Sequence, residues 1–396
     1  PYDRVTLTES TTDLKKALET LSQSLCTEIS DLDLPFQGGA IGYIAYDLGT
    51  RLLGLESPRQ TSLEDMPLLD LGFYDWALIA DHQLKKLCIF SANRCSKTPD
   101  IISEVISLLQ TEVPKPPPFI LKGTFEPLLS KNSYKDAFES IQECLQAGRS
   151  YQVNYTQAFQ AAYEGNSWSM YTAIAKQNPL PFSAYIKTHD AEIISFSPER
   201  FLLYDKGCLL TAPIKGTIGR SSDPELDAAL QLELSQSLKN RAENVMIVDL
   251  MRNDLGKIAQ AGSVQVLNLC AIQSFNSVHH LVSEIQAQCL DTIRPFDAFI
   301  SCFPGGSITG APKLEAMRII QELEPYARGV YCGSIGYFSN HGRFDTNIAI
   351  RTLTAKNTML HLASGGGIVI DSNCEDEYSE CYTKITAILK GIGALP

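Results

Sequence analysis

The stretch SYKDAFESIQECLQAGRSYQVNYTQAF, residues 133 to 159, sets the fold class. Its first part repeats apolar side chains at helical spacing and closes on Gly148, a glycine suited to a helix C-cap. YQVNYTQAF, which follows, is β-branched and aromatic, as strands are. Helix and strand keep alternating downstream, which predicts antiparallel strands with helices packed outside them, an α+β architecture. A long helical pattern covers about residues 223 to 254, and a second fills roughly the last twenty residues from the capping-box spacing Ser372-x-x-Glu375.

Upstream, GGAIGYIAYDL (38 to 48) and LGFYDWALIAD (71 to 81) read as glycine-bounded strands. Between them and the helix lies VPKPPPF, residues 113 to 119. Such a proline cluster continues neither a helix nor a central strand, so it marks a connector between residues 1–118 and residues 119–396.

Composition excludes several function classes. The chain has 396 residues, 44% of them apolar, and 33 basic against 45 acidic side chains leave a net charge of −12. With the basic residues scattered, a nucleic-acid partner is not expected. The eleven cysteines form no C-x-x-C pair, which argues for reduced thiols in a cytoplasmic protein rather than a disulfide framework or a zinc site. No apolar run is long enough to span a bilayer, and no charged-then-apolar leader opens the sequence. The chain begins at Pro1 rather than Met, so its native start is expected to lie further upstream.

TAPIKGTIGR, residues 211 to 220, places Lys215 at the end of a strand, after Pro213, which stiffens the backbone, and before Gly216, which permits a sharp turn. A lysine given a defined direction and a lowered pKa is a nucleophile; one pointing into water is an ordinary surface residue. SFSPERF holds Glu199 after a proline and beside Arg200, either as half of an ion pair or as a proton-transfer group near Lys215. In CEDEYSECYTK, Glu377, Glu380 and Lys384 share one helix face, which is either solvated or part of a site. The triple glycine of SGGGIVI just before it allows backbone N–H groups to approach an anion. Glu243 precedes the apolar VMIVDLM, where a carboxylate entering the interior needs a partner such as a hard cation, Mg²⁺. PGGSITGAPK (304 to 313), with its hydroxyls and Lys313, and Arg351 at the end of the strand FDTNIAIRT suit a small anionic substrate. The glycine-rich loop lacks the phosphate-loop spacing. Of VHHL, residues 278 to 281, one histidine could face a site.

In order, SPERF, PIKGT, RAEN-x-M-x-VDL-x-RNDLG, VHHLVS, PGGSITGAPK, Y-C-G-S-I-G-Y, AIRT, GGGIV and E-x-x-E-C-x-x-K resemble the chorismate-utilising enzymes: anthranilate and aminodeoxychorismate synthase component I, and isochorismate and salicylate synthases. The resemblance runs from about residue 120 to the end and is looser upstream, through QGGAIGYIAYDL. It implies a large antiparallel β-sandwich core flanked by helices, the chorismate-utilising fold, with the N-terminal portion interleaved into the core sheet.

Two positions separate the members. Isochorismate and salicylate synthases carry a water-activating lysine where this chain has Gln152, and anthranilate synthases carry alanine where it has Lys215, as aminodeoxychorismate synthases do. The resemblance therefore implies amination of chorismate to 4-amino-4-deoxychorismate, a precursor of 4-aminobenzoate and folate. The alternatives are anthranilate synthesis and a non-catalytic subunit that only binds the amidotransferase. It further implies Lys215 as nucleophile on ring carbon C2, Glu199 as acid and base, and Mg²⁺ held by Glu243 and Glu380 with Glu377 close by. Substrate contacts carry over to Gly216, Thr217, His280, Tyr331, Arg351, Gly365, Gly366, Gly367 and Lys384. Nothing resembles a glutamine amidotransferase, so ammonia is expected from a separate glutaminase subunit. Tryptophan binding is implied at Pro181, Phe182 and Ser183.

Overall fold

The computed structural model describes residues 1–25, 32–55, 63, 65–276 and 278–391. The helix read from the sequence is Lys131–Gln146, started by Ser130, whose hydroxyl accepts the Ser133 N–H at 3.0 Å, and followed by Gly148 at φ 72°. Its buried face is the apolar period itself: Tyr134, Ala137, Phe138, Ile141 and Leu145. The strand after it, Gln152–Glu164, lies inside a seven-stranded sheet ordered Gly310–Ala311, Gln152–Glu164, Met359–Ile368, Thr352–Lys356, Ala191–Ser197, Phe182–Lys187, with Ile120–Pro127 also on Gln152–Glu164.

A ten-stranded sheet is ordered Asp3–Leu7, Leu69–Tyr74, Gly39–Ile44, Ser334–Ser339, Phe344–Asn347, Arg200–Asp205, Cys208–Thr211, Val278–Gln288, Ile214–Gly219, with Gln265–Ser274 also on Val278–Gln288. All pairings among the described strands are antiparallel. N-terminal strand Gly39–Ile44 pairs with Ser334–Ser339, so residues far apart in sequence share this sheet. Trp76–Asp81 and Lys86–Ser91 form a separate ribbon, and residues 112–119 have no regular structure.

The sheets meet where Tyr43 and Ile335 of one pack with Ala191 and Ile193 of the other. Helices cover the remaining apolar surface: Leu14–Ser24, Leu238–Gly256 and Pro295–Cys302 over the ten-stranded sheet, Lys131–Gln146, Ser167–Gln177 and Cys374–Gly391 over the seven-stranded one. Two short, neighbouring segments, from Ser197 to Arg200 and from Asn347 to Thr352, carry the chain directly from one sheet to the other. These crossings hold each other: the Ile348 N–H donates to the Glu199 carbonyl at 3.1 Å, the Ser197 hydroxyl to the Ile348 carbonyl at 2.6 Å, and the Phe196 N–H to the Arg351 carbonyl at 3.0 Å.

Three local expectations are revised. The helical pattern of residues 223 to 254 is two helices, Pro224–Gln236 and Leu238–Gly256; Ser237 leaves helical geometry at ψ 107°, and its hydroxyl caps the second. The last helix, Cys374–Gly391, is capped by Asn373, whose side-chain oxygen accepts the N–H groups of Glu375 and Asp376, rather than by Ser372. Ser372 instead donates to Glu377 Oε1 at 2.7 Å. Arg351 ends no strand: it stands in the crossing at φ 52°.

A buried ion pair ties the layers together. Arg328 bonds Glu324 at 2.8 and 2.9 Å, donates to the carbonyls of Asn154 at 2.6 Å and Ile308 at 2.9 Å, and lies over the Tyr46 ring at 4.5 Å. Glu324 in turn accepts from Thr156 N–H and hydroxyl at 3.0 and 2.7 Å. Removing one partner would strand a buried charge, so Arg328→Met is expected to cost about 3–5 kcal/mol. Urea denaturation checks this, and a loss below about 1 kcal/mol would show the pair to be dispensable.

Candidate active site

Lys215 lies in the end strand Ile214–Gly219. It is near that strand's beginning, past the interruption at Pro213, rather than at a strand's end as the sequence suggested. The pairings Ile214 with Val282 and Thr217 with His280 leave Lys215 and Gly216 opposite the single residue Leu281, a β-bulge. A bulge re-aims a side chain that strict alternation would send elsewhere. Gly216 makes it feasible: its φ is 86°, and a Cβ there would sit 2.9 Å from Asn240 Cγ. Lys215 Nζ thus reaches inward and donates to the Ser307 carbonyl at 3.3 Å.

Glu199 sits buried in the first crossing, and its Oε1 accepts from the Ser307 hydroxyl at 2.8 Å. Its sequence neighbour Arg200 turns away and pairs with Asp345 at 2.9 Å. Burial pushes the Lys215 ammonium below the ordinary lysine range, opposed by Glu199 and reinforced by Lys384. Burial also pushes the Glu199 carboxyl up, opposed by Lys215 and by the Ser307 hydrogen bond. Both shifts favour uncharged forms, a free amine beside a carboxylic acid.

Lys384, Glu243 and Glu380 lie within the electrostatic reach of Lys215. Lys384 Nζ bonds Glu380 at 2.7 Å and the Gly365 carbonyl at 2.8 Å. Burial alone would raise the Glu380 pKa, but the ammonium of Lys384, with Lys239 and Lys215 further off, holds it below the usual range. Glu243 is pushed up by burial, partly offset by Lys215 and Lys239, and lies within the electrostatic reach of Glu380. Burial raises Glu377 too, despite its bond from Ser372, and its Oε2 is buried without a hydrogen-bond partner.

That orphaned oxygen lies 2.8 Å from where a Cβ on Gly366 would sit, so the glycine keeps open the space beside the carboxylates. Among the described residues no group of three His, Cys, Asp or Glu side chains is arranged to enclose an ion. The donors present, carboxylates with an unpartnered oxygen on Glu377 and room beside them, fit a hard cation that keeps water and substrate oxygens in its shell.

His280 is buried, and its Nδ1 hydrogen-bonds the Thr217 hydroxyl at 2.7 Å. Burial, with Arg351 adding its charge, brings the imidazole down to about 4, so it is neutral at physiological pH. Its neighbour His279 has a separate duty, pairing with Asp227 at 3.1 Å. Burial also lowers the Arg351 guanidinium, and Tyr331 is buried against the core of the ten-stranded sheet. Gly365 and Gly367 are tight packing positions: a Cβ would meet the Tyr155 carbonyl at 2.1 Å and the Gln152 amide nitrogen at 2.4 Å respectively. Gln152 is buried with no partner for either amide atom. Pro181 precedes the strand Phe182–Lys187 at the rim of the seven-stranded sheet, where the Phe182 ring lies 5.0 Å from the Arg200 guanidinium and the Ser183 hydroxyl bonds the Leu180 carbonyl at 3.0 Å.

The glycine-rich loop has a different use from the one expected. Lys313 does not present its charge to a ligand; it donates to the carbonyls of Cys302 and Pro304 at 3.0 and 2.8 Å and pairs with Asp254. Sequence reading missed Ser307, which touches both Lys215 and Glu199, and Arg328, which holds the next carbonyl. The quoted motif contained Ser307, but nothing in the one-dimensional pattern names partners so distant.

Comparison with known proteins gives concordant matches. The profile of the family described as chorismate binding enzyme covers residues 1–390. Aminodeoxychorismate synthase component 1 of Salmonella typhimurium (strain LT2) is 46% identical over 361 residues, covering 91% of this chain and 78% of that protein. Anthranilate synthase component 1 of Bacillus subtilis (strain 168) is 34% identical over 403 residues, covering 96% of this chain and 78% of that protein. The crystal structure of anthranilate synthase component I from Streptococcus pneumoniae TIGR4 matches with a TM-score of 0.86 at 29% identity, over 97% of this chain and 89% of that one.

The buried position of His280 makes a prediction of its own. In a pH titration followed by NMR, its imidazole should stay neutral down to about pH 5. A midpoint near its ordinary value of about 6.5 would mean that the ring is solvated in solution.

Proposed function

The chain belongs to the chorismate-binding enzyme family, and from that premise we propose that it aminates chorismate at C4 to give 4-amino-4-deoxychorismate, the reaction of an aminodeoxychorismate synthase. The observation that carries the reading is the inward-turned amine of Lys215, bonded to Ser307 beside the buried carboxyl of Glu199. Anthranilate formation is the weaker reading, because Lys215 stands where the resemblance places alanine in anthranilate synthases. A purely non-catalytic role leaves the conjunction of Lys215, Glu199, Glu243 and Glu380 without a use.

In this reaction the neutral Lys215 amine forms a bond to C2 while the two ring double bonds shift and the C4–O bond breaks. Glu199 gives its proton to the departing hydroxyl, which leaves as water. Glu199, now a carboxylate, takes a proton from the added amine. Ammonia then adds at C4, the double bonds shift back, and Glu199 returns its proton to the Lys215 nitrogen as that leaves C2, then takes one from the new C4 ammonium; chorismate and ammonia become the amino product and water. The neutral His280 donates or accepts a hydrogen bond without adding charge near the ring, and Arg351 offers two parallel N–H groups to a substrate carboxylate. Thr217, Tyr331, Gly365, Gly366, Gly367 and Lys384 complete the proposed substrate contacts. Gln152, a neutral amide, cannot activate water, so ammonia meets no competing hydroxide.

Mg²⁺ would be held by Glu243 and Glu380, with Glu377 in support, and when bound would offset the charge of the substrate carboxylate. Ammonia would come from a glutamine amidotransferase subunit. Tryptophan at Pro181, Phe182 and Ser183 belongs to the same proposal, as a structural ligand. We place the protein in the cytoplasm; the ten described cysteines are all free and no described helix is long and apolar enough to cross a membrane. We also keep the proline-rich segment as the proposed boundary between residues 1–118 and 119–396.

Incubated with chorismate, Mg²⁺ and ammonium, the protein should form a product that a pyruvate-removing lyase converts to 4-aminobenzoate. Fluorescent anthranilate without that lyase would refute the assignment. Lys215→Ala should lower amination by about a thousandfold while leaving chorismate affinity within about threefold. Calorimetry should show that Glu380→Gln weakens the Mg²⁺-dependent part of chorismate binding by about tenfold or more, and equal affinities with and without metal would remove the carboxylates from that role.

A further inference from the structure

Ser307 lies in the turn Gly306–Ile308 and is the residue through which Lys215 and Glu199 are joined: its carbonyl accepts from Lys215 Nζ at 3.3 Å and its hydroxyl donates to Glu199 Oε1 at 2.8 Å. We propose that Ser307 is a positioning residue of the amination reaction, fixing the nucleophilic amine with its main chain and the proton-transfer carboxyl with its side chain. The inference rests on the function proposed above and deepens it.

The chemistry follows from directions. A neutral amine has two N–H groups and one lone pair; an N–H committed to the Ser307 carbonyl leaves the lone pair to point elsewhere, toward a bound ring. Glu199 accepts from the Ser307 hydroxyl on Oε1 and also from the Ile214 N–H, so the carboxyl is held in a defined direction when it meets the leaving hydroxyl. The hydrogen bond from Ser307 also opposes the upward push of burial on Glu199, which keeps the acid able to give its proton away.

Everything around the turn serves to immobilise it. Gly306 is packed so closely that a Cβ would lie 2.5 Å from both Leu250 and Met251 side chains. The Thr309 hydroxyl donates to the carbonyls of Gly305 and Gly306 at 3.1 and 3.2 Å, and Arg328 holds the Ile308 carbonyl at 2.9 Å. The Thr309 carbonyl accepts the Asn154 N–H at 2.8 Å, anchoring the turn to the seven-stranded sheet. A surface loop needs no such bracing; a residue that must hold two reacting groups in register does.

The test uses the full chain with saturating ammonium and Mg²⁺, measuring kcat and KM for chorismate. Ser307→Ala keeps the carbonyl and loses the hydroxyl; its kcat should fall about tenfold to a hundredfold, with KM within about twofold of wild type. Ser307→Thr, which restores a hydroxyl, should recover most of the rate. Chorismate binding and thermal melting of Ser307→Ala are measured alongside, and both should match wild type. A Ser307→Ala enzyme with wild-type kcat, or one losing kcat, affinity and melting temperature together, would overturn the role. Wild-type protein that makes no aminated product would instead defeat the functional reading itself, so the two failures are distinguishable.

Discussion

A half-buried amine and a buried carboxyl, Lys215 and Glu199, both bonded to Ser307, are the constraint from which the rest of this molecule can be understood. Water would keep Lys215 cationic and Glu199 anionic. Away from water both charges are costly, and the pair shifts toward the free amine and the carboxylic acid. Those are the forms a nucleophile and a general acid need for the same step. Burial therefore biases both groups in the direction that the proposed amination needs.

The fold supplies that burial at a place where it also supplies flexibility of design. Glu199 and Arg351 stand in the two crossings between sheets, where the backbone leaves the ladder and side chains are not bound to alternate. Lys215 arrives from a third direction, through a bulge that turns it inward. The acidic helix Cys374–Gly391 brings Glu377, Glu380 and Lys384 against the glycine strand from the outside. Four chain segments distant in sequence therefore meet at one point, and the buried Arg328–Glu324 pair ties two of the layers that carry them.

Much of this is legible in the sequence. The helix Lys131–Gln146 and its following strand announce themselves by period and by a terminal glycine, and both are local properties. Lys215, Glu199 and the carboxylates of the last helix were named from short motifs because proline, glycine and helical spacing constrain them locally. What could not be read is what depends on pairing. The bulge at Lys215 exists only by its register against Val282 and His280. Ser307 serves a carboxyl 108 positions away. The break at Ser237 was hidden because a serine is tolerated within a helix as well as at its start. Lys313 read as a ligand contact because sequence shows a charge and not the carbonyls that surround it.

The central claim is that Lys215 becomes covalently attached to the substrate ring. Mass spectrometry of the protein quenched with chorismate and Mg²⁺ in the absence of ammonia measures this most directly. A chorismate-derived adduct, with loss of one water, confined to the peptide that contains Lys215 is the predicted result. A protein of unchanged mass at every quench time, under conditions where added ammonium gives product, would contradict it.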